Sequence, residues 1–119
     1  MPGKKQQPYR HLPAFILLAL ARGPLHGAAI HAALLERMSN FKPDTGAVYR
    51  ALQQLERDKE VKATWETSCP GPAKKIYQLT PLGWQRLEYW RKEIELRIGN
   101  LNYFLRTYRH IIEQPGKKN

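Results

Sequence analysis

One cysteine, Cys69, is all that the 119 residues hold, so an internal disulfide is excluded and a reducing cytoplasm is the compartment that fits. With no second thiol to resolve an oxidised state, Cys69 reads as a free surface thiol. Long hydrophobic runs are missing too. The longest, residues 12–21, falls far short of the roughly 20 apolar residues that span a bilayer. It carries Pro13 near its start and lacks a small-residue cleavage site, so a signal peptide is not expected either. His11, His26, His31 and His110 show no metal-ligand spacing and no thiol or carboxylate joins them, so no metal site is expected. There is no phosphate-cradling glycine loop and no nucleophile elbow. The chain therefore reads as a non-enzyme, with no catalytic residues and no cofactor.

Acids are the other shortage. Ten Asp and Glu stand against 20 Lys and Arg, giving a net charge of +10 and a pI near 10.0. Such an excess on 13.9 kDa suits a polyanion, either nucleic acid or an anionic membrane surface. It is spread rather than concentrated: residues 1–78 hold 12 basic and 6 acidic side chains, residues 79–119 hold 8 and 4. Hydrophobic residues at 42% are enough to fill one small core, and the length suits one domain with an extension at most.

The most informative stretch is Asp-Thr-Gly-Ala-Val-Tyr-Arg-Ala-Leu-Gln-Gln-Leu, residues 44–55. Asp44 follows Pro43 and can cap the free N–H groups of a first helical turn. Val48, Leu52 and Leu55, with Ala51 beside them, fall on one helical stripe. Gly46, Arg50, Gln53 and Arg57 fall opposite, with Thr45 and Tyr49 on the flank. A small residue near the start lets the helix end approach a phosphate, while hydroxyl, amide and guanidinium groups suit phosphates and base edges. A surface helix with an ordinary polar exterior would show the same amphipathicity, so the neighbouring segments matter.

Residues 61–67 alternate apolar and polar side chains as a half-buried strand does. Ser68 to Ala73 is a cluster of breakers, and residues 74–79 read as a second strand. Thr80-Pro81 then opens another helix, with a capping residue followed by proline at the first position. Lys74 and Lys75 stand at the far edge of the turn, where a wing could meet a phosphate backbone. Upstream, residues 12–22 form a nearly all-apolar helix whose Phe15, Leu17, Leu18 and Leu20 place it at the centre of the fold. Gly23-Pro24 ends it. Residues 25–40 read as a second helix, with Ile30, Leu34 and Leu35 facing inward. Phe41-Lys42-Pro43 is the short link to the helix at 44, as helix-turn-helix geometry requires.

Two further segments complete the organisation. Residues 1–11 form a basic arm with Lys4, Lys5 and Arg10, residues 12–82 the helix-and-hairpin domain, residues 83–113 a C-terminal helix and residues 114–119 a tail. In the C-terminal helix Leu87, Trp90, Ile94, Ile98, Leu101, Leu105, Tyr108 and Ile112 follow at steps of 3, 4, 4, 3, 4, 3 and 4 residues. That heptad-like seam fits a second chain better than a fold-back on the same domain. Gly99-Asn100 weakens the helix midway by about 1 kcal/mol for the glycine, leaving a kink or two helices open.

With these residues in place the chain resembles the PadR family of bacterial transcriptional regulators, in its short single-domain form. Three ordered motifs carry the resemblance. Residues 21–27 (Ala-Arg-Gly-Pro-Leu-His-Gly) look like the family's exit from the first helix, residues 46–56 like its recognition helix, and residues 71–83 like its wing and the helix that follows. Two positions depart from the pattern. Ala28 stands where an aromatic usually follows His-Gly. Lys59 replaces the glycine that usually ends the recognition helix, and Glu60 stands where an apolar residue is common. Lys59 must then accept a left-handed backbone, or the helix must end differently.

The resemblance implies a mainly α winged helix-turn-helix with a small β-hairpin and a C-terminal dimerisation helix. It implies a homodimer on double-stranded DNA at an inverted repeat, and repression relieved by a small aromatic or drug-like compound. Gly46, Arg50 and Gln53 are expected to approach bases, with Lys42, Thr45, Tyr49, Lys74 and Lys75 on phosphates. Trp84, Trp90, Tyr103, Phe104 and Tyr108 are the candidates for an effector pocket between subunits, since aromatic faces grip flat ligands. Plain dimer core is the other reading of the same stripe. The rival function is a winged-helix protein-interaction module without sequence-specific DNA binding.

Overall fold

Helix α1 (Leu12–Leu20) is the hub of the molecule, touching the second and third helices and the central strand. Pro13 sits in its first turn, where a missing N–H removes no hydrogen bond. Leu12, Ala14, Ile16, Leu17 and Leu20 are buried; Leu18, expected at the centre, is 56% exposed. The computed structural model describes residues 9–38, 40–67 and 70–114; Lys4, Lys5, Cys69 and most of the expected tail lie outside the described residues.

The remaining elements are β1 (Leu25–His26), α2 (Gly27–Arg37), α3 (Thr45–Arg57), β2 (Val61–Glu66), β3 (Lys74–Leu79) and α4 (Pro81–Glu113). Strand β1 was not expected: Leu25 and His26 were assigned to the second helix. Both residues instead pair with Tyr77 and Ile76 of β3. His26 is extended and its imidazole Nδ1 accepts from the Ala29 N–H at 3.3 Å, so it caps α2 rather than belonging to it. Two residues are too few to show a strand period. The hairpin thus becomes a three-stranded antiparallel sheet in the order β1-β3-β2. Helix α2 stops at Arg37, three residues before the expected end, and Leu35 is 36% exposed rather than buried.

Side-chain alternation on β2 and β3 follows the pairing of Val61 with Leu79, Ala63 with Tyr77 and Trp65 with Lys75. Val61, Tyr77 and Leu79 are buried against the helices; toward the turn the same face opens, and Trp65 is 63% exposed. Among the described residues the chain divides into two compact units between Leu87 and Glu88. The first holds the helices, the sheet and the root of α4. The second is the remainder of α4, which runs unbroken as a helix through Gly99. Among the described residues no helix is long and apolar enough to cross a membrane.

The end of α3 explains how a lysine replaces glycine. Lys59 adopts φ +63°. Its N–H donates to the Glu56 carbonyl at 3.0 Å and the Glu60 N–H donates to the Leu55 carbonyl at 2.9 Å, a Schellman closure. The Thr80 hydroxyl donates to the Lys59 carbonyl at 2.7 Å, and the Thr80 N–H to the Glu60 carbonyl at 3.2 Å. Thr80 also caps α4 by accepting from the Gly83 N–H at 3.0 Å. Gly83 lies so close that a β-carbon there would sit 2.1 Å from the Glu60 carbonyl oxygen. The two positions should respond oppositely. Lys59→Gly removes a left-handed non-glycine residue and is expected to raise stability by roughly 1 kcal/mol, whereas Gly83→Ala is expected to lower it by about 1–3 kcal/mol through backbone displacement. Urea denaturation of both variants checks the pair, and equal destabilisation would refute this account of the turn.

Candidate nucleic-acid interface

Helix α3 is held by its back and its start. Ala47, Val48, Leu52 and Leu55 are buried. The Asp44 carboxylate accepts from the Ala47 N–H at 2.7 Å, the expected cap. The link preceding α3 is fastened at several points. His31 Nε2 lies 2.7 Å from the Pro43 carbonyl, and the Phe41 ring meets Phe15 at 5.2 Å and Tyr9 at 6.0 Å. Pro43 is fully buried. This rigid approach leaves Thr45, Gly46, Tyr49, Arg50 and Gln53 exposed along one side of α3, with Lys42 exposed just before it.

Three of these side chains have defined surroundings. The Arg50 guanidinium folds back over Gly46, whose missing side chain leaves it room, since a β-carbon there would come within 3.0 Å of Nη1. A cation is thereby carried to the N-terminal turn of α3, where free N–H groups already favour anions. Tyr49 is only 39% exposed because its ring packs over Gly27, where a β-carbon would fall 2.5–2.7 Å from ring atoms. The glycine of the His26-Gly27 pair is thus explained by close approach of α2 and α3, which the sequence alone did not reveal. Tyr49 is a tie between helices as well as a partly exposed side chain of α3.

On the wing the two lysines differ. Lys74 is exposed, and Lys75 is half-buried. Lys75 Nζ lies 3.2 Å from the Glu56 carboxylate of α3, 5.5 Å from the Tyr77 ring centre and 6.0 Å from that of Trp65. Its hydrogen bond to Glu56 raises its pKa above the ordinary lysine value, while burial pushes the Tyr77 hydroxyl up. Glu56 and Trp65 were not among the expected site residues. The cross-strand pairing of Trp65 with Lys75 could have found Trp65, but no local signal points to Glu56 on α3.

The seam residues of α4 divide by position. Leu87, Trp90 and Ile94 are half-buried, while Ile98, Leu101, Leu105, Tyr108 and Ile112 are exposed. The flanks of the seam carry ion pairs of Arg91 with Glu88 and Glu95 and of Arg97 with Glu93. These lower the Glu88 carboxyl and raise the Arg91 guanidinium. Of the expected effector residues, Phe104 and Tyr108 stack with ring centres 6.2 Å apart. Trp90 is fourteen residues from Phe104, about 21 Å along a helix, and Trp84 is exposed on the first turn. One chain does not gather them. A separate apolar groove of about 590 Å³ lies between α1 and α2, lined by Phe15, Leu18, Pro24, Leu25 and Leu34 with Arg22 and Arg37 among them.

Two helices joined by a fastened turn, followed by a β-hairpin whose first strand packs on the second of them, define a winged helix-turn-helix. Residues 16–89 match the transcriptional regulator PadR-like family, and the chain belongs to it. That family is one of transcriptional regulators, not of enzymes. A PadR family transcription regulator from hypervirulent Clostridium difficile superposes with TM-score 0.72 over 80% of this chain and 98% of its own, at 25% identity. Bacillus subtilis PadR in complex with operator DNA superposes with TM-score 0.63 at 27% identity, over 68% of this chain and 46% of that one. An uncharacterized 37.1 kDa protein of transposon TN4556 from Streptomyces fradiae is 41% identical over 73 residues; the match spans 61% of this chain but 20% of that protein.

The Glu56–Lys75 pair has a consequence for stability. Because the folded pKa of Lys75 is raised, its contribution is fully present below the unfolded value of about 10.4 and is lost as pH rises through the folded one. Lys75→Ala is expected to lower stability at pH 7 by up to about 1 kcal/mol, and Lys74→Ala by less. Thermal melts of the two variants at pH 7 and above pH 11 test this: the difference should vanish at the higher pH.

Proposed function

We propose that this regulator is a cytoplasmic repressor that binds an inverted-repeat operator as a homodimer and is released by a small aromatic effector. The observation that carries the DNA-binding part is α3 itself. It is capped, buried along its back and preceded by a fastened turn, with Gly46, Arg50 and Gln53 presented beside a lysine-bearing wing. In this reading Gly46, Arg50 and Gln53 meet base edges in the major groove. Lys42, Thr45, Tyr49 and Lys74 hold phosphates, and Lys75 joins them by exchanging Glu56 for a phosphate oxygen. The interaction-module alternative is disfavoured because this face has no central apolar anchor of the kind protein interfaces use. The operator complex of the Bacillus subtilis relative supports the same class of ligand.

The dimer reading rests on residues 83–113. Exposed Ile98, Leu101, Leu105, Tyr108 and Ile112 continue the seam begun by Leu87, Trp90 and Ile94, and such a stripe on a helix is covered by a like stripe in a coiled coil. Two copies would also bring together the aromatic residues that one chain keeps apart. The effector pocket is accordingly placed among Trp84, Trp90, Tyr103, Phe104 and Tyr108 of the two subunits. The helix-and-hairpin domain of residues 12–82 supplies the DNA contacts, flanked by the arm and the tail.

Two measurements test these roles. Arg50→Ala is expected to cost roughly 1–3 kcal/mol on the best site and to relax preference at one base position, read by gel shift on matched and mutated sites. Equal weakening on every sequence would make Arg50 a phosphate contact instead. Ile94→Asp places a carboxylate in the seam, at a cost of several kcal/mol to association. Sedimentation should then report monomers and DNA affinity should fall with dimerisation. A wild-type protein that sediments as a monomer at micromolar concentration would overturn the two-fold repressor model.

A further inference from the structure

Glu60 is a charged residue placed where burial opposes it. It is 5% exposed, directly after the left-handed Lys59 that ends α3, and its carboxylate accepts from Arg86 Nε at 3.2 Å. The desolvation falls on Glu60, since the Arg86 side chain is 43% exposed, and it offsets much of the attraction, so an apolar residue at position 60 would pack there without that cost. The pair therefore calls for a reason other than stability. Its position supplies one. Among the described residues, Thr80 bonds to the carbonyls of Lys59 and Glu60, and Gly83 lies against the Glu60 carbonyl, all in the first turn of α4. Attachment at one turn fixes where a helix begins but leaves its tilt and rotation soft. Arg86 lies three residues beyond Gly83, on the same face one turn later. It provides a second anchor, and that anchor ends on Glu60, whose own N–H closes the turn that ends α3.

We infer that the Glu60–Arg86 pair is a positioning element that sets the angle between the recognition helix and the root of α4, and through it the half-site spacing the dimer accepts. The inference rests on the dimeric DNA-binding reading above. In a dimer joined through α4, the distance between recognition helices follows from the angle at which each α4 root is set against its α3. Half-site separation on DNA is a direct geometric readout of that distance. Neither Glu60 nor Arg86 touches DNA in this arrangement; they act through the helices they join.

The experiment is selection of double-stranded DNA from a random pool by the full-length protein, followed by competition between the preferred site and versions with one base pair inserted or removed at its centre. Glu60→Leu with Arg86→Met in one chain tests the pair without leaving a lone buried charge, and Arg86→Lys tests whether a cation alone suffices. Wild type is expected to favour one spacing by about tenfold, and the double variant to accept the neighbouring spacings within about twofold while keeping the same half-site sequence. Arg86→Lys should recover part of the discrimination. A merely structural pair would change the melting temperature and leave the spacing profile untouched, and that result overturns the inference. A wild type that selects single half-sites, with no spacing preference, sinks the dimer reading itself and the inference with it. Selection of no DNA removes the DNA-binding reading, a distinct result.

Discussion

Burial of the apolar back of α3 against α1 is the constraint on which the rest of the molecule depends. Val48 and Leu52 on one helix and Ile16 and Leu17 on the other are fully buried, and α1 also touches α2 and β3. A core this small has little redundancy. Because the back of α3 is consumed in holding the domain together, its front is free of structural duty except at Tyr49. The separation of tasks around one helix, apolar inward and polar outward, is what allows a 13.9 kDa chain to present a recognition surface at all.

The joint after α3 shows a second economy. Among the described residues, Lys59, Glu60, Thr80, Gly83 and Arg86 connect the end of one helix to the beginning of another through three hydrogen bonds and one close backbone approach. Strain at Lys59 and a buried charge at Glu60 are both tolerated there because the surrounding bonds determine the turn's shape. The wing is coupled to α3 by different chemistry. Glu56 and Lys75 make a half-exposed ion pair between helix and hairpin, with the rings of Tyr77 and Trp65 beside the ammonium.

Legibility in the sequence followed the strength of local signals. The period of Val48, Leu52 and Leu55, the Asp44 cap, and the Thr80-Pro81 start each depend on neighbours within a turn, and each appears in the structure as read. The alternation of β2 was legible for the same reason, whereas at Lys59 a left-handed residue and a different helix end were both open until the structure showed the first. Strand β1 was not, because its two residues take their conformation from Tyr77 and Ile76, about fifty positions away. Leu18 and Leu35 misled because hydrophobicity indicates what a side chain prefers without revealing which face finds a partner. Glu56 beside Lys75 and Gly27 beneath Tyr49 are tertiary contacts between residues of unremarkable local pattern. The side chains on the exposed face of α3 were nameable from periodicity alone, but their constraints were not.

The seating of Tyr49 on Gly27 bears on how genetics of this regulator should be interpreted. Any side chain at position 27 must occupy space the tyrosine ring already fills, so α2 and α3 would have to part or the ring would have to leave. Either outcome disturbs the exposed face of α3 from behind. An allele at Gly27 would thus score in a screen as a defect in recognition, although the residue is buried and lies on the neighbouring helix. Mapping such alleles onto the surface would assign the interface to the wrong element.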